Sequence, residues 1–142
     1  MNWRRLAVLA VAQAACAAAL AQDAAQAAAD ACPKAAEVGQ RQLLGLWRAE
    51  FEGLAQGATL LLEPHPELAE SVSGAIDRDG ERAQLAGDVD DGEFTLEESA
   101  NGVNISAVWL GDVVEGSCGR EIRGSWKAEG QPREWPFVLR KQ

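Results

Sequence analysis

Arg82-Ala83-Gln84-Leu85-Ala86-Gly87-Asp88-Val89-Asp90-Asp91-Gly92-Glu93-Phe94-Thr95-Leu96-Glu97 is the stretch whose reading decides the fold. Ala83, Leu85, Gly87 and Val89 alternate with Arg82, Gln84 and Asp88, and Phe94 and Leu96 then alternate with Glu93, Thr95 and Glu97. A period of two puts each apolar set on one side of an extended strand. Between the two runs, Asp90-Asp91-Gly92 supplies the positive φ that a tight hairpin demands. The segment therefore reads as two consecutive antiparallel strands, each with one dry face.

The pattern continues in both directions. Upstream, Trp47, Ala49 and Phe51 oppose Arg48, Glu50 and Glu52; Ala58, Leu60 and Leu62 form a second face; Val72, Gly74 and Ile76 form a third after the Pro64-His65-Pro66 corner. Downstream, Val103, Ile105, Ala107 and Trp109 make a sixth face, Ile122, Gly124, Trp126 and Ala128 a seventh, and Trp135, Phe137 and Leu139 an eighth. Asp79-Gly80, Asn101-Gly102, Glu115-Gly116 and Glu129-Gly130 mark turns between them. Eight sequential one-sided strands bury their faces most simply by closing on themselves, which also removes exposed edges. We expect an all-β, antiparallel up-and-down barrel over residues 43–142.

Ahead of the barrel, residues 22–42 form an Ala, Gln and Asp leader that ends in a short N-terminal helix opened by Pro33. Residues 1–21 read as an export signal: basic Arg4-Arg5, an apolar run from Leu6 to Ala18, and a small-x-small cleavage site at Ala19-Leu20-Ala21. They place the protein in the periplasm or outside the cell. Of the three cysteines, Cys16 lies in the signal, and Cys32 and Cys118 form an even pair that reads as a disulfide in an exported chain. Gln13-Ala14-Ala15-Cys16 is similar to a bacterial lipoprotein box, so a lipid anchor through Cys16 is the alternative form.

The 13 Lys and Arg include Arg4 and Arg5, so residues 22–142 carry 11 of them against 22 Asp and Glu, a net charge of −11. Nucleic acid and anionic lipid are repelled by such a chain. Asp88, Asp90, Asp91 and Glu93 crowd one hairpin, but their spacing misses an EF-hand loop, where glycine is required at the position of Glu93. Glu63, His65 and Glu67 fall short of a zinc set. The chain has one histidine and none of the nucleophile-elbow, phosphate-loop or His-Glu-x-x-His motifs, so we expect no enzyme, no cofactor and no metal.

Gly45-Leu46-Trp47 on the first strand, with Arg140 on the last, resembles the Gly-x-Trp and closing arginine of the calycin superfamily, the lipocalins and avidin-like barrels. Gly124-Ser125-Trp126-Lys127-Ala128-Glu129 nearly repeats Gly45-Leu46-Trp47-Arg48-Ala49-Glu50, and a late-strand tryptophan is similar to avidin-like chains. The resemblance implies architecture. The residues of a biotin site have no counterparts here, and tyrosine is absent.

What remains is a non-catalytic binding module. Trp47, Trp109, Trp126 and Trp135 all fall on the inward parity beside small residues, Gly74, Ala83, Gly87, Ala107 and Gly124, and this combination suits a small apolar ligand inside the barrel. Alternatively, the acidic hairpin from Asp88 to Glu93 faces a basic envelope protein, with inhibition of a lysozyme-type hydrolase as the specific form.

Overall fold

The structure, a computed structural model, describes residues 18–24 and 31–142. The chain divides into two compact units, Met1–Cys32 and Pro33–Gln142. In the first, residues 18–24 are helical and exposed. Cys16 and most of the expected export signal lie outside the described residues. No helix among the described residues is long and apolar enough to cross a membrane.

The second unit is the expected closed antiparallel barrel. Its strands are β1 (Gly45–Phe51), β2 (Ala58–Pro64), β3 (Val72–Arg78), β4 (Glu81–Asp90), β5 (Glu93–Ser99), β6 (Ala107–Val113), β7 (Glu121–Ala128) and β8 (Trp135–Lys141). Neighbours in sequence are neighbours in the sheet, and β1 pairs with β8 in the register Ala49 to Leu139 to close it. The two shortest turns are the ones whose sequence demanded them: Asp79 and Gly80 have φ of 51° and 88°, Asp91 and Gly92 of 48° and 81°.

One boundary differs from expectation. Val103 and Ile105 are not on the sixth strand; β6 begins at Ala107, and both side chains project from a loop. The loop is closed by its own polar groups. Asn101 Oδ1 accepts from the backbone N–H of Val103 (2.9 Å) and Asn104 (2.8 Å), and Ser99 Oγ donates to the Asn104 carbonyl at 2.7 Å. Such Asx geometry competes with strand pairing, and it wins over the apolar alternation here.

The core follows the predicted parity. Trp47, Leu60, Ile76, Leu96, Trp109, Ile122 and Leu139 are all buried, with Phe94 and Phe137 filling between them. Gly74 and Gly124 stand at inward-parity positions where the neighbouring strand comes too close for a side chain. A Cβ at Gly74 would strike the Leu61 carbonyl, and one at Gly124 would strike the Leu110 carbonyl and the Gly111 backbone. These glycines let adjacent strands approach where the sheet coils.

Antiparallel alternation gives the barrel two unlike ends. At one, a 3₁₀ turn (Ala35–Glu37) and a one-turn helix (Gln40–Leu43) lie against the barrel, with Val38 and Leu43 buried. The Ala35 N–H donates to Glu115 Oε2 (2.9 Å), and Gln40 Nε2 donates to the Ser71 carbonyl (2.7 Å). This helix end also holds the acidic hairpin, whose Gly92 is buried next to Ala35. The opposite end carries only the connections between β1 and β2, β3 and β4, β5 and β6, and β7 and β8.

Cys32 and Cys118 are disulfide-bonded to each other, as the even cysteine pair required. Cys118 sits in the β6–β7 connection in a left-handed conformation, φ 57°.

Candidate functional site

Glu98 is the one charged residue buried among the described residues, 2% exposed. It lies two residues beyond Leu96 on β5 and so shares the inward parity of Phe94 and Leu96. Arg78 does the same on β3, two residues beyond Ile76. The two side chains meet at the loop end as a bidentate pair: Arg78 Nη1 donates to Glu98 Oε2 (2.8 Å) and Nη2 to Oε1. A fork meeting a carboxylate plane in this way is the strongest ion-pair geometry available to side chains.

Two indoles complete the coordination of the carboxylate. Trp109 Nε1 donates to Glu98 Oε1 at 2.7 Å and Trp126 Nε1 to the same oxygen at 2.9 Å. Trp109 and Trp126 are directly paired across β6 and β7, so one oxygen is within reach of both. Above it, the Arg78 guanidinium carbon lies 4.9 Å from the Trp126 ring centroid, 5.8 Å from Phe51 and 6.0 Å from Trp109, within cation–π range of all three. The rings support one another. Phe51 is 5.3 Å from Trp109 and 5.5 Å from Trp126, and Phe137 stands edge-on to Trp109 at 4.8 Å. No buried side-chain polar atom among the described residues lacks a partner.

The four tryptophans singled out by sequence therefore do not form one site. Trp109, Trp126 and Trp135 lie in one row across β6, β7 and β8. Trp109 and Trp126 converge on Glu98. Trp135 is half-buried and stacks under Arg133, 3.8 Å from ring centroid to guanidinium carbon. Trp47 belongs to the helix end, where its Nε1 donates to the Leu43 carbonyl at 2.7 Å.

The closing arginine is corrected by the same parity. Arg140 points outward, where it pairs with Glu50 (3.3 Å) and Glu121 (3.4 Å) on the outer wall. Its neighbour Lys141 takes the inward role: Nζ donates to the Gln42 carbonyl at 2.7 Å and lies 5.9 Å from the Trp47 ring centroid. Burial, with the nearby Arg120 charge, holds the Lys141 ammonium below its usual pKa of 10.5. Together Trp47 and Lys141 satisfy carbonyls at the C-terminal end of the Gln40–Leu43 helix.

His65 is likewise accounted for. Its Nδ1 accepts from the backbone N–H of Glu67 (3.1 Å) and Leu68 (3.0 Å), a turn cap in the β2–β3 connection. Asp88, Asp90, Asp91 and Glu93 keep their exposed carboxylates at the helix end, while the apolar side chains free in solvent near a connection are Leu54, Val103 and Ile105 at the loop end and Leu68 at the helix end.

Sequence reading missed Glu98 and Arg78. The signal was present: one acidic and one basic residue sit on inward parity at the ends of apolar faces, each two positions past the last apolar residue counted. Compared with models of known protein families and with curated proteins, the chain matches none.

Proposed function

We propose that this protein is an exported, non-catalytic binding module of the cell envelope that engages a protein partner through the loop end of the barrel. The observation that carries this reading is the Ser99–Ser106 connection. Val103 is 84% exposed on a loop whose backbone is fixed by Asn101 and Ser99, so an apolar anchor is held out in water without conformational freedom to lose on binding. Ile105 and Leu54 add apolar surface on the same end. Exposed Glu52, Asp79, Glu129 and Glu134 on these connections, with Glu81 at the start of β4, favour a partner that is basic around an apolar cleft. The Cys32–Cys118 bond and the signal-like residues 1–21 support export, with anchoring through Cys16 as the alternative form.

Inhibition of a lysozyme-type envelope hydrolase is the specific form of this reading that fits its charge and compartment. The calycin-like likeness concerns architecture and bears on neither partner nor ligand. A carrier of a small apolar molecule is the second reading. It draws on the aromatic row at β6–β8, while the inward glycines are explained by close approach of neighbouring strands without invoking a ligand.

The test is inhibition of basic lysozyme-type hydrolases by the purified disulfide form at micromolar concentration. The wild-type chain is expected to lower activity, and Val103→Asp is expected to abolish the effect while leaving the melting temperature unchanged. If no hydrolase loses activity, the inhibitor form is wrong. Saturable quenching of tryptophan fluorescence by apolar probes, with a rise in melting temperature, would favour the carrier instead.

A further inference from the structure

The Glu98 cluster holds a complete set of groups for recognising an organic cation. A carboxylate fixed by two indole N–H donors forms the floor, and Phe51, Trp109 and Trp126 form the walls. Aromatic faces around a carboxylate attract a flat, weakly hydrated cation more than any other ligand class. In this structure the cation is the chain's own Arg78.

Two features distinguish Arg78 from the groups around it. Glu98 is sealed, its side chain 3% exposed, whereas the Arg78 side chain is 24% exposed and lies between the carboxylate and solvent. Arg78 is also the last residue of β3, directly before the Asp79-Gly80 turn. Displacing its guanidinium requires breaking the two bonds to Glu98 and turning one side chain, with no backbone pairing of β3 and β4 at stake. Moreover, an internal ion pair of this kind adds little net stability over apolar packing, so stability alone does not account for a carboxylate placed among three rings. Exposed Asp77, Asp79 and Glu81 beside the turn raise the local concentration of external cations and offer Arg78 partners once it swings out.

We propose that the loop end is a binding site for a guanidinium-bearing ligand, such as an arginine side chain, in which Phe51, Trp109, Trp126 and Glu98 form the receptor and Arg78 is an internal occupant that the ligand displaces. This site adjoins the connection that carries Val103 but uses none of its side chains and does not depend on the reading proposed for it. A tethered occupant competes at an effective concentration of roughly millimolar order. The native site is therefore self-blocked against weak cations and selects ligands with additional contacts at the rim.

The experiment titrates the full disulfide-bonded chain with ethylguanidinium and follows the indole N–H resonances. In the wild type, Trp109 and Trp126 are expected to shift saturably in the millimolar range, while Trp47 at the other end stays fixed; matched urea and sodium chloride should produce neither change. Arg78→Ala empties the box and should bind ethylguanidinium at least tenfold more tightly, with a rise in melting temperature. Arg78→Ala combined with Glu98→Gln should lose that response. Arginine amide against free ethylguanidinium separates a peptide-borne ligand from a free one. If Arg78→Ala does not fold, the wild-type titration still decides. Unresponsive Trp109 and Trp126 resonances well above the effective concentration, or a shift of Trp47 equal to theirs, would overturn the proposal and leave Glu98–Arg78 as a fixed internal pair.

Discussion

At each end of the barrel an indole N–H and a basic side chain are spent on oxygen atoms that would otherwise be buried without partners, but the oxygens differ. At the helix end Trp47 and Lys141 satisfy neutral backbone carbonyls of Leu43 and Gln42. At the loop end Trp109, Trp126 and Arg78 satisfy a carboxylate. The first arrangement closes the barrel with a short helix and needs no charge in the interior. The second brings in a formal negative charge that apolar side chains would have replaced at no cost. The helix end thus closes the barrel over neutral carbonyls alone, whereas the loop end keeps a buried carboxylate whose cation stays partly open to solvent, which is the contrast the proposed site rests on.

The largest expected effect tests how far the helix end is stapled. Removing the Cys32–Cys118 bond releases a loop of about 85 residues and should cost roughly 4–5 kcal/mol in the chain-entropy picture. Urea unfolding of the Cys32→Ala, Cys118→Ala double variant measures it. A loss below about 1 kcal/mol would mean that packing of Val38 and Leu43, not the bond, holds this end.

Arg78→Met probes the other end. It leaves Glu98 buried without its cation and should cost about 3–5 kcal/mol. Adding Glu98→Gln removes the stranded charge while keeping an oxygen for both indoles, and should recover about half of that loss. If the double variant is no more stable than the single one, the carboxylate was never the source of the penalty.

Much of this contrast was legible in the residues. Parity alone placed Trp47, Ala49, Phe51, Leu60, Ile76, Phe94, Trp109, Phe137 and Leu139 inside, because a strand with one dry face admits no other orientation. Asp79-Gly80 and Asp91-Gly92 announced their turns through the positive φ they tolerate. Reading failed where short-range polar chemistry overrode alternation. Asn101 folded Val103 and Ile105 into a loop, and the apolar count stopped one inward position short of both Arg78 and Glu98. Side-chain polarity marks the outer face only until two opposite charges meet on inward parity and satisfy each other. The convergence of β3, β5, β6 and β7 on one carboxylate oxygen depends on how far the sheet coils, which no local spacing encodes.

Trp47→Phe is a smaller perturbation of the helix end. It keeps most of the buried ring but leaves the Leu43 carbonyl without its indole donor, and should cost about 1–3 kcal/mol, against roughly 3–5 kcal/mol for Trp47→Ala as a core truncation. Equal losses in the two variants would assign the whole effect to the hydrogen bond that both lack and none to packing of the ring.

The finest distinction separates the two neighbouring cations of β8. Arg140 is about half exposed and pairs with carboxylates on the outer wall, so Arg140→Ala should change stability by no more than ~0.5 kcal/mol. Lys141→Met removes the inward ammonium that caps Gln42 and should cost more. Its effect also carries a pH signature. Burial and Arg120 lower the folded-state pKa of Lys141 below 10.5, so between that lowered value and 10.5 the unfolded chain binds more protons than the folded one. Stability contributed by Lys141 therefore rises as pH increases through this alkaline window, and the rise disappears in Lys141→Met while persisting in Arg140→Ala. Urea midpoints of the three proteins at neutral pH and just below 10.5 decide it. A pH slope lost in Arg140→Ala instead would return the closing role to the arginine and overturn the assignment of Lys141.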